Sequence, residues 1–133
     1  MKAIITLLAA AATTALTFGA AQAQSPNPPG VKLDHYHCYR VSPVTRFRPR
    51  RVSLVDQFGR LQPTVVREQM LCAPVEKNGE PVKDKKDHLV CYSVTGGRDA
   101  NKRVEIANQF GNAVLQVGGT VTFCVPSLKN VLN

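Results

Sequence analysis

The chain has 133 residues, with 17 Lys and Arg against 9 Asp and Glu, a formal net charge of +8, four cysteines and no tryptophan. That length leaves room for one domain, whose core would be thin without extra fastening, and excludes a large self-sufficient one. The positive balance bears on partners and solubility, not on fold.

Residues 1–23 open with Lys2, run apolar from Ala3 to Gly19 and close on Ala21-Gln22-Ala23. This is the pattern of a signal peptide with a small-x-small cleavage site, and the apolar stretch falls short of the roughly 20 residues that span hydrocarbon. The expectation is export, with a mature chain starting at Gln24. Loss of Lys2 leaves 16 basic residues against 9 acidic ones, a net charge of +7. No cysteine stands at the cleavage point, which argues against a lipid anchor, and no later segment is apolar enough to cross a membrane. The product is therefore expected to be soluble in the periplasm or outside the cell. Residues 24–32 read as a flexible N-terminal segment. All four cysteines, Cys38, Cys72, Cys91 and Cys124, lie in the exported part, and an even count in an oxidising compartment reads as two disulfides.

From residue 33 the elements read as strands. His35, His37, Tyr39 and Val41 fall on one side of an extended segment, with Tyr36, Cys38 and Arg40 on the other. Val52 and Leu54 share a face in the next segment, which runs into Asp56-Gln57-Phe58-Gly59. Asp at the first position and Gly at the fourth suit a type I turn, the short side chain capping the backbone and Gly accepting a positive φ. A competing geometry carries the strand through Phe58 and turns at Gly59-Arg60. Either way Phe58 is expected in the core. Leu61 to Cys72 forms a less regular third segment, where Pro63 suggests a bulge or an edge. The polar stretch from Glu76 to Asp87, with an Asn78-Gly79 turn signal, reads as a surface linker. Beyond it the same series returns: His88, Val90, Tyr92 and Val94 on one face, then Val104 and Ile106, then Asn108-Gln109-Phe110-Gly111, then Ala113 to Cys124 interrupted by Gly118-Gly119. Phe110 is expected in the core like Phe58.

The return is a tandem duplication. Asp34-His35 and Cys38-Tyr39-x-Val41 fall on Asp87-His88 and Cys91-Tyr92-x-Val94 at an offset of 53. After one deleted residue the offset is 52, and Val52, Gln57-Phe58-Gly59, Val65, Cys72, Pro74 and Lys77-Asn78 fall on Val104, Gln109-Phe110-Gly111, Val117, Cys124, Pro126 and Lys129-Asn130. The chain thereby resembles an uncharacterised repeat family of secreted bacterial proteins, whose units carry H-x-x-C-Y, D/N-Q-F-G and L-C-x-P-x-x-K motifs. The resemblance covers residues 33–130 and implies a small secreted disulfide-containing module with no known activity. The chain departs from the pattern in an Arg-rich insert in the first unit and a loose third segment.

The expected fold is all-β: a small six-stranded sandwich or barrel built from two three-stranded repeats about an approximate two-fold axis. Repeat one would span 33–78, a linker 79–86 and repeat two 87–130, both copies sharing one core because a single unit buries too little. Of the three possible disulfide pairings, Cys38–Cys72 with Cys91–Cys124 is preferred, since each unit then carries its own fastening. Cys38–Cys124 with Cys72–Cys91 also respects a two-fold axis.

Two stretches invite a chemical reading. His35, His37, Cys38, His88 and Cys91 include good soft-metal ligands. Against a site there, His37 aligns with Val90, Cys38 points away from the histidines, and exported cysteines tend to be oxidised. No nucleophile elbow, zinc-protease helix or phosphate loop occurs. Asp56 as a catalytic acid meets Asn108 at the equivalent place, and an amide cannot handle that proton. No catalytic residue, metal site or cofactor is therefore assigned. The second stretch is Arg46-Phe47-Arg48-Pro49-Arg50-Arg51, echoed more thinly by Arg98, Lys102 and Arg103. Clustered Arg can grip phosphate, sulfate or carboxylate, so anionic polysaccharide, glycolipid or another polyanion are the candidate partners. Nucleic acid is disfavoured, because the chain lacks spare aromatics for base stacking. The functional expectation is a secreted or periplasmic, non-enzymatic binding or structural module using Arg46, Arg48, Arg50 and Arg51. The alternative is a periplasmic enzyme or metal-binding protein using the His35, His37 and His88 region.

Overall fold

The computed structural model describes residues 30–132. The expected signal peptide, 1–23, and residues 24–29 of the expected flexible segment lie outside the described residues. The described chain contains nine strands: β1 (His35–Arg40), β2 (Arg50–Arg51), β3 (Leu54–Asp56), β4 (Gly59–Leu61), β5 (Thr64–Val75), β6 (His88–Thr95), β7 (Asp99–Asn108), β8 (Gly111–Gly119) and β9 (Thr122–Ser127). The all-β class expected from the sequence holds. Alternating β-branched and aromatic residues favour extended chain, and Gly or Pro stands at the breaks.

A five-stranded sheet forms the frame, in the order β1-β5-β6-β9, with β2 paired to one end of β5. β3 with β4, and β7 with β8, make separate two-stranded hairpins. Every pairing is antiparallel. The two units fold to the same registers. Cys38 stands opposite Cys72 and Cys91 opposite Cys124. Arg50 faces Val65 as Lys102 faces Val117, and Leu54 faces Leu61 as Ile106 faces Ala113.

The strand order corrects the expected symmetry. By the duplication β1 corresponds to β6, and the second half of β5 to β9. A two-fold axis through the centre of the sheet would exchange β1 with β9 and β5 with β6 instead. With all neighbours antiparallel, β1 and β6 run in the same direction, so the units are related by a sideways step along the sheet. β5 and β6 form the joint between them. No barrel closes among the described residues: β1 and β9 remain the outer edges. The strand count also exceeds six, because Val52-Ser53 and Gln62-Pro63 break the first hairpin and Thr120-Val121 breaks the last segment of the second unit. Pro63 has no N–H to give a ladder, but its carbonyl accepts the Val52 N–H at 3.0 Å.

Both tetrapeptides are hairpin turns. Asp56 pairs with Gly59 and Asn108 with Gly111, which rules out the turn at Gly59-Arg60. The Phe58 N–H donates to Asp56 Oδ1 at 2.8 Å and the Phe110 N–H to Asn108 Oδ1 at 2.8 Å. Gly59 and Gly111 take φ of 127° and 113°, a region that L-residues rarely adopt. The expectation that both phenylalanines anchor the core fails at Phe110, which is 73% exposed, while Phe58 is half-buried. Phe58 lines a small concavity with Ala100, Val117 and Thr120 of the second unit, whereas Phe110 meets Lys77 over its ring. The linker turns at Asn78-Gly79, with φ of 51° and 82°, the positive pair that a tight hairpin turn needs.

The core is small. Among the described residues only Pro63, Val65, Cys72, His88 and Cys91 are buried. Disulfides Cys38–Cys72 and Cys91–Cys124 cross between neighbouring strands, each closing its own unit. Cys72 and Cys91 lie at the joint, 2% exposed, with their sulfurs in contact at 3.9 Å. Covalent fastening supplies what the thin core cannot.

Candidate functional site

Residues 41–49 link β1 to β2 and hold Arg46 and Arg48, with Arg50 and Arg51 following in β2. Two contacts fix this loop. Phe47 packs on Tyr92 of the second unit with ring centroids 5.2 Å apart, and Arg50-Arg51 pair with Val65 and Thr64. The arginines between and beyond these contacts face water: Arg46, Arg48, Arg50 and Arg51 are all exposed. None has an ion-pair or side-chain hydrogen-bond partner among the described residues. Strand alternation sends Arg50 and Arg51 to opposite faces of the sheet, so the cluster is splayed rather than flat. Lys102 and Arg103 occupy the matching register in β7 and are also exposed. Arg98 reaches the tip of the first hairpin, where a Cβ built on Gly59 would lie 2.9 Å from its guanidinium.

Beside this loop is an open concavity of about 740 Å³, lined by Arg40, Arg67, Glu68 and Met70 among others. Glu68 is one of its lining residues, and its Oε2 is buried with no hydrogen-bond partner among the described residues. Sequence reasoning passed over these residues. Arg40 and Glu68 come together only because β1 pairs with β5, and the register shift in β5 between Glu68 and Met70 changes how the side chains fall.

The three histidines have separate environments. The buried His88 places Nδ1 3.2 Å from the Lys86 carbonyl, and His37 stacks on Tyr39 at 4.7 Å. His35 Nε2 lies 3.1 Å from Glu80 Oε2. β5 lies between the strands that carry His35 and His88, holding those strands roughly 10 Å apart. No cysteine is free, and no group of three or more metal-ligating side chains occurs among the described residues.

His35 belongs instead to a polar chain that the sequence did not disclose. Lys77 Nζ donates to Gln109 Oε1 at 2.7 Å, and Gln109 Nε2 approaches His35 Nδ1 at 3.5 Å. With Nδ1 accepting, Nε2–H is left to donate to Glu80, and that bond holds the Glu80 carboxyl below its ordinary pKa. The tip of the second hairpin is thus tied back to the first unit, and Lys77 also sits 5.4 Å over the Phe110 ring. Nearby, Asp34 accepts the backbone N–H groups of Asp84 and Lys83, which lower its pKa. Tyr36 donates its hydroxyl to Asp87 at 2.8 Å; burial, then that bond to a carboxylate, pushes the phenol up to about 12. These contacts pin the linker to the start of β1. Gln57, which matches Gln109 in the repeat, is exposed and makes no such contact among the described residues; two matching motifs carry no local mark of that difference.

The frame, the fastening and the matched registers define a small all-β protein of two disulfide-pinned units. The chain belongs to the family described as "Repeat of unknown function (DUF7450)", whose model matches residues 11–126. No curated protein and no solved structure matches it. Two disulfides suit an oxidising compartment, and no helix of the described residues is long and apolar enough to cross a membrane.

Proposed function

We propose that the protein is an exported, non-enzymatic module that holds anionic polymers at or outside the cell envelope through Arg46, Arg48, Arg50 and Arg51. The observation that carries this reading is that all four guanidinium groups are exposed without a partner among the described residues, Arg46 and Arg48 on a loop held by Phe47 and Arg50 and Arg51 on the strand that ends it. A loop serving solubility alone has no need of such fixing. Arginine presents a planar fork of donors to sulfate, phosphate or carboxylate, and a pinned loop loses less freedom on binding than a loose one. Export is supported by the N-terminal apolar stretch with its Ala21-Gln22-Ala23 close and by the disulfides.

The test is retention on immobilised heparin, a sulfated polysaccharide probe, as salt is raised. The parent protein is expected to be retained at low salt and released as ions screen the contact. Replacing all four arginines by serine is expected to abolish retention with both disulfides intact. Equal retention of that variant would show that net charge alone is responsible and would remove the loop from the account.

A further inference from the structure

We infer that copies of this protein join edge to edge, β9 of one against β1 of the next, by repeating the contact that joins the two units inside each chain. The inference rests on the sideways relation of the units and stands whether or not the arginine loop binds a polyanion. Units related by such a step leave unlike edges at the two ends, and contact between unlike surfaces need not close at a dimer. Here the two free edges are the halves of a joint that already exists once. At β5–β6, Met70 faces Cys91, Leu71 faces Val90 and Cys72 faces Leu89. Carried across the duplication, this becomes Thr122 against Cys38, Phe123 against His37 and Cys124 against Tyr36 of the next copy.

Three observations agree with that register. First, each disulfide is half covered: Cys72 and Cys91 are buried at the internal joint, whereas Cys38 and Cys124 are exposed on the outer edges. A second copy would place Cys124 beside Cys38 as Cys72 lies beside Cys91. Second, the outer backbone of both edges is unpaired among the described residues. The Val41 N–H bonds to the Gln69 carbonyl, so by alternation Tyr36, Cys38 and Arg40 direct their N–H groups away from β5. The matching register in the second unit leaves Thr122 and Cys124 pointing away from β6. Pro126 lacks an N–H, but it falls just past the joint, as Pro74 does beside the internal one. Third, apolar side chains are uncovered on or beside the edges: Tyr39 is 53% exposed on β1, and Leu128, Val131 and Leu132 are exposed in the segment that follows β9. Natural edge strands are usually blunted by charge or proline; Thr122–Ser127 carries no charge, and its one proline lies past the joint.

Sedimentation velocity of the exported, oxidised protein over a wide concentration range tests this. The weight-average mass is expected to rise with concentration and to pass twice the monomer. Thr122→Pro deletes an outward N–H on β9, and Tyr36→Pro deletes one on β1; neither bond serves the internal ladder. Each variant alone is expected to remain monomeric with both disulfides formed, while a mixture gives a 1:1 dimer that does not grow, since each supplies the edge the other lacks. Tyr36→Phe keeps the N–H and is expected to associate as the parent does. A parent that stays monomeric throughout, growth that stops at a dimer, or variants that fail to complement each other would overturn the proposal.

Discussion

At the scale of single residues, the start of β1 carries the most chemistry. Tyr36 is an acid whose pKa in the fold, about 12, lies above its ordinary 10.0. The protonated phenol is therefore the form the fold prefers. Its contribution is fully present below pH 10 and is lost as pH rises through about 12. Urea denaturation at a series of alkaline pH values is expected to show stability falling across that window, and Tyr36→Phe is expected to flatten the fall. An unchanged alkaline slope in Tyr36→Phe would assign the loss to other groups. His35 shows how far a motif can mislead: the spacing of His35 and His37 suits a metal, yet one histidine joins a relay to Glu80 and the other lies against Tyr39.

At the scale of elements, the cross-strand disulfides dominate. Each closes a loop of similar length, with sequence separations of 34 and 33. In the chain-entropy picture each contributes about 4 kcal/mol, a large part of what a domain this size holds in reserve. Replacing Cys38 and Cys72, or Cys91 and Cys124, by alanine pairs is expected to cost comparable amounts. Thermal melts followed by circular dichroism would show it, and a cost under about 1 kcal/mol for either pair would mean the thin core suffices. The strands flanking these bridges were readable because alternation, turn chemistry and cysteine placement agree there. The hairpins were only half readable. Both turns announce themselves through Asx and Gly, and Pro63 marks a break in the first ribbon, but nothing local shows that the second runs ten residues along β7.

At the scale of the molecule, the duplication was plain in the sequence and its symmetry was not. Two copies of one pattern can be joined by rotation or by translation. The choice lies in which edges meet, and long-range pairing leaves no local trace. The unit boundaries fare similarly, because a single unit supplies half of each buried contact at the joint. Val65 pairs with Val94, and Cys72 is covered from the side of Cys91. Residues 30–78 expressed alone and oxidised are therefore expected to lack a cooperative thermal transition. A sharp melt of that fragment would show that one unit is a domain in its own right and that β5–β6 is a docking contact.

The lone change of offset, from 53 to 52, falls between Val41 and Arg50 in one unit and between Val94 and Lys102 in the other. A residue gained inside β1 or β5 would turn a cysteine to the wrong face of the sheet and leave its partner stranded. A residue gained in the stretch from Ser42 to Pro49 changes no pairing. The arginine loop thus doubles as the slack in the chain: its reach can lengthen or shorten while the covalent frame stays in register. It is also where a reporter peptide could be spliced in without disturbing the sheet.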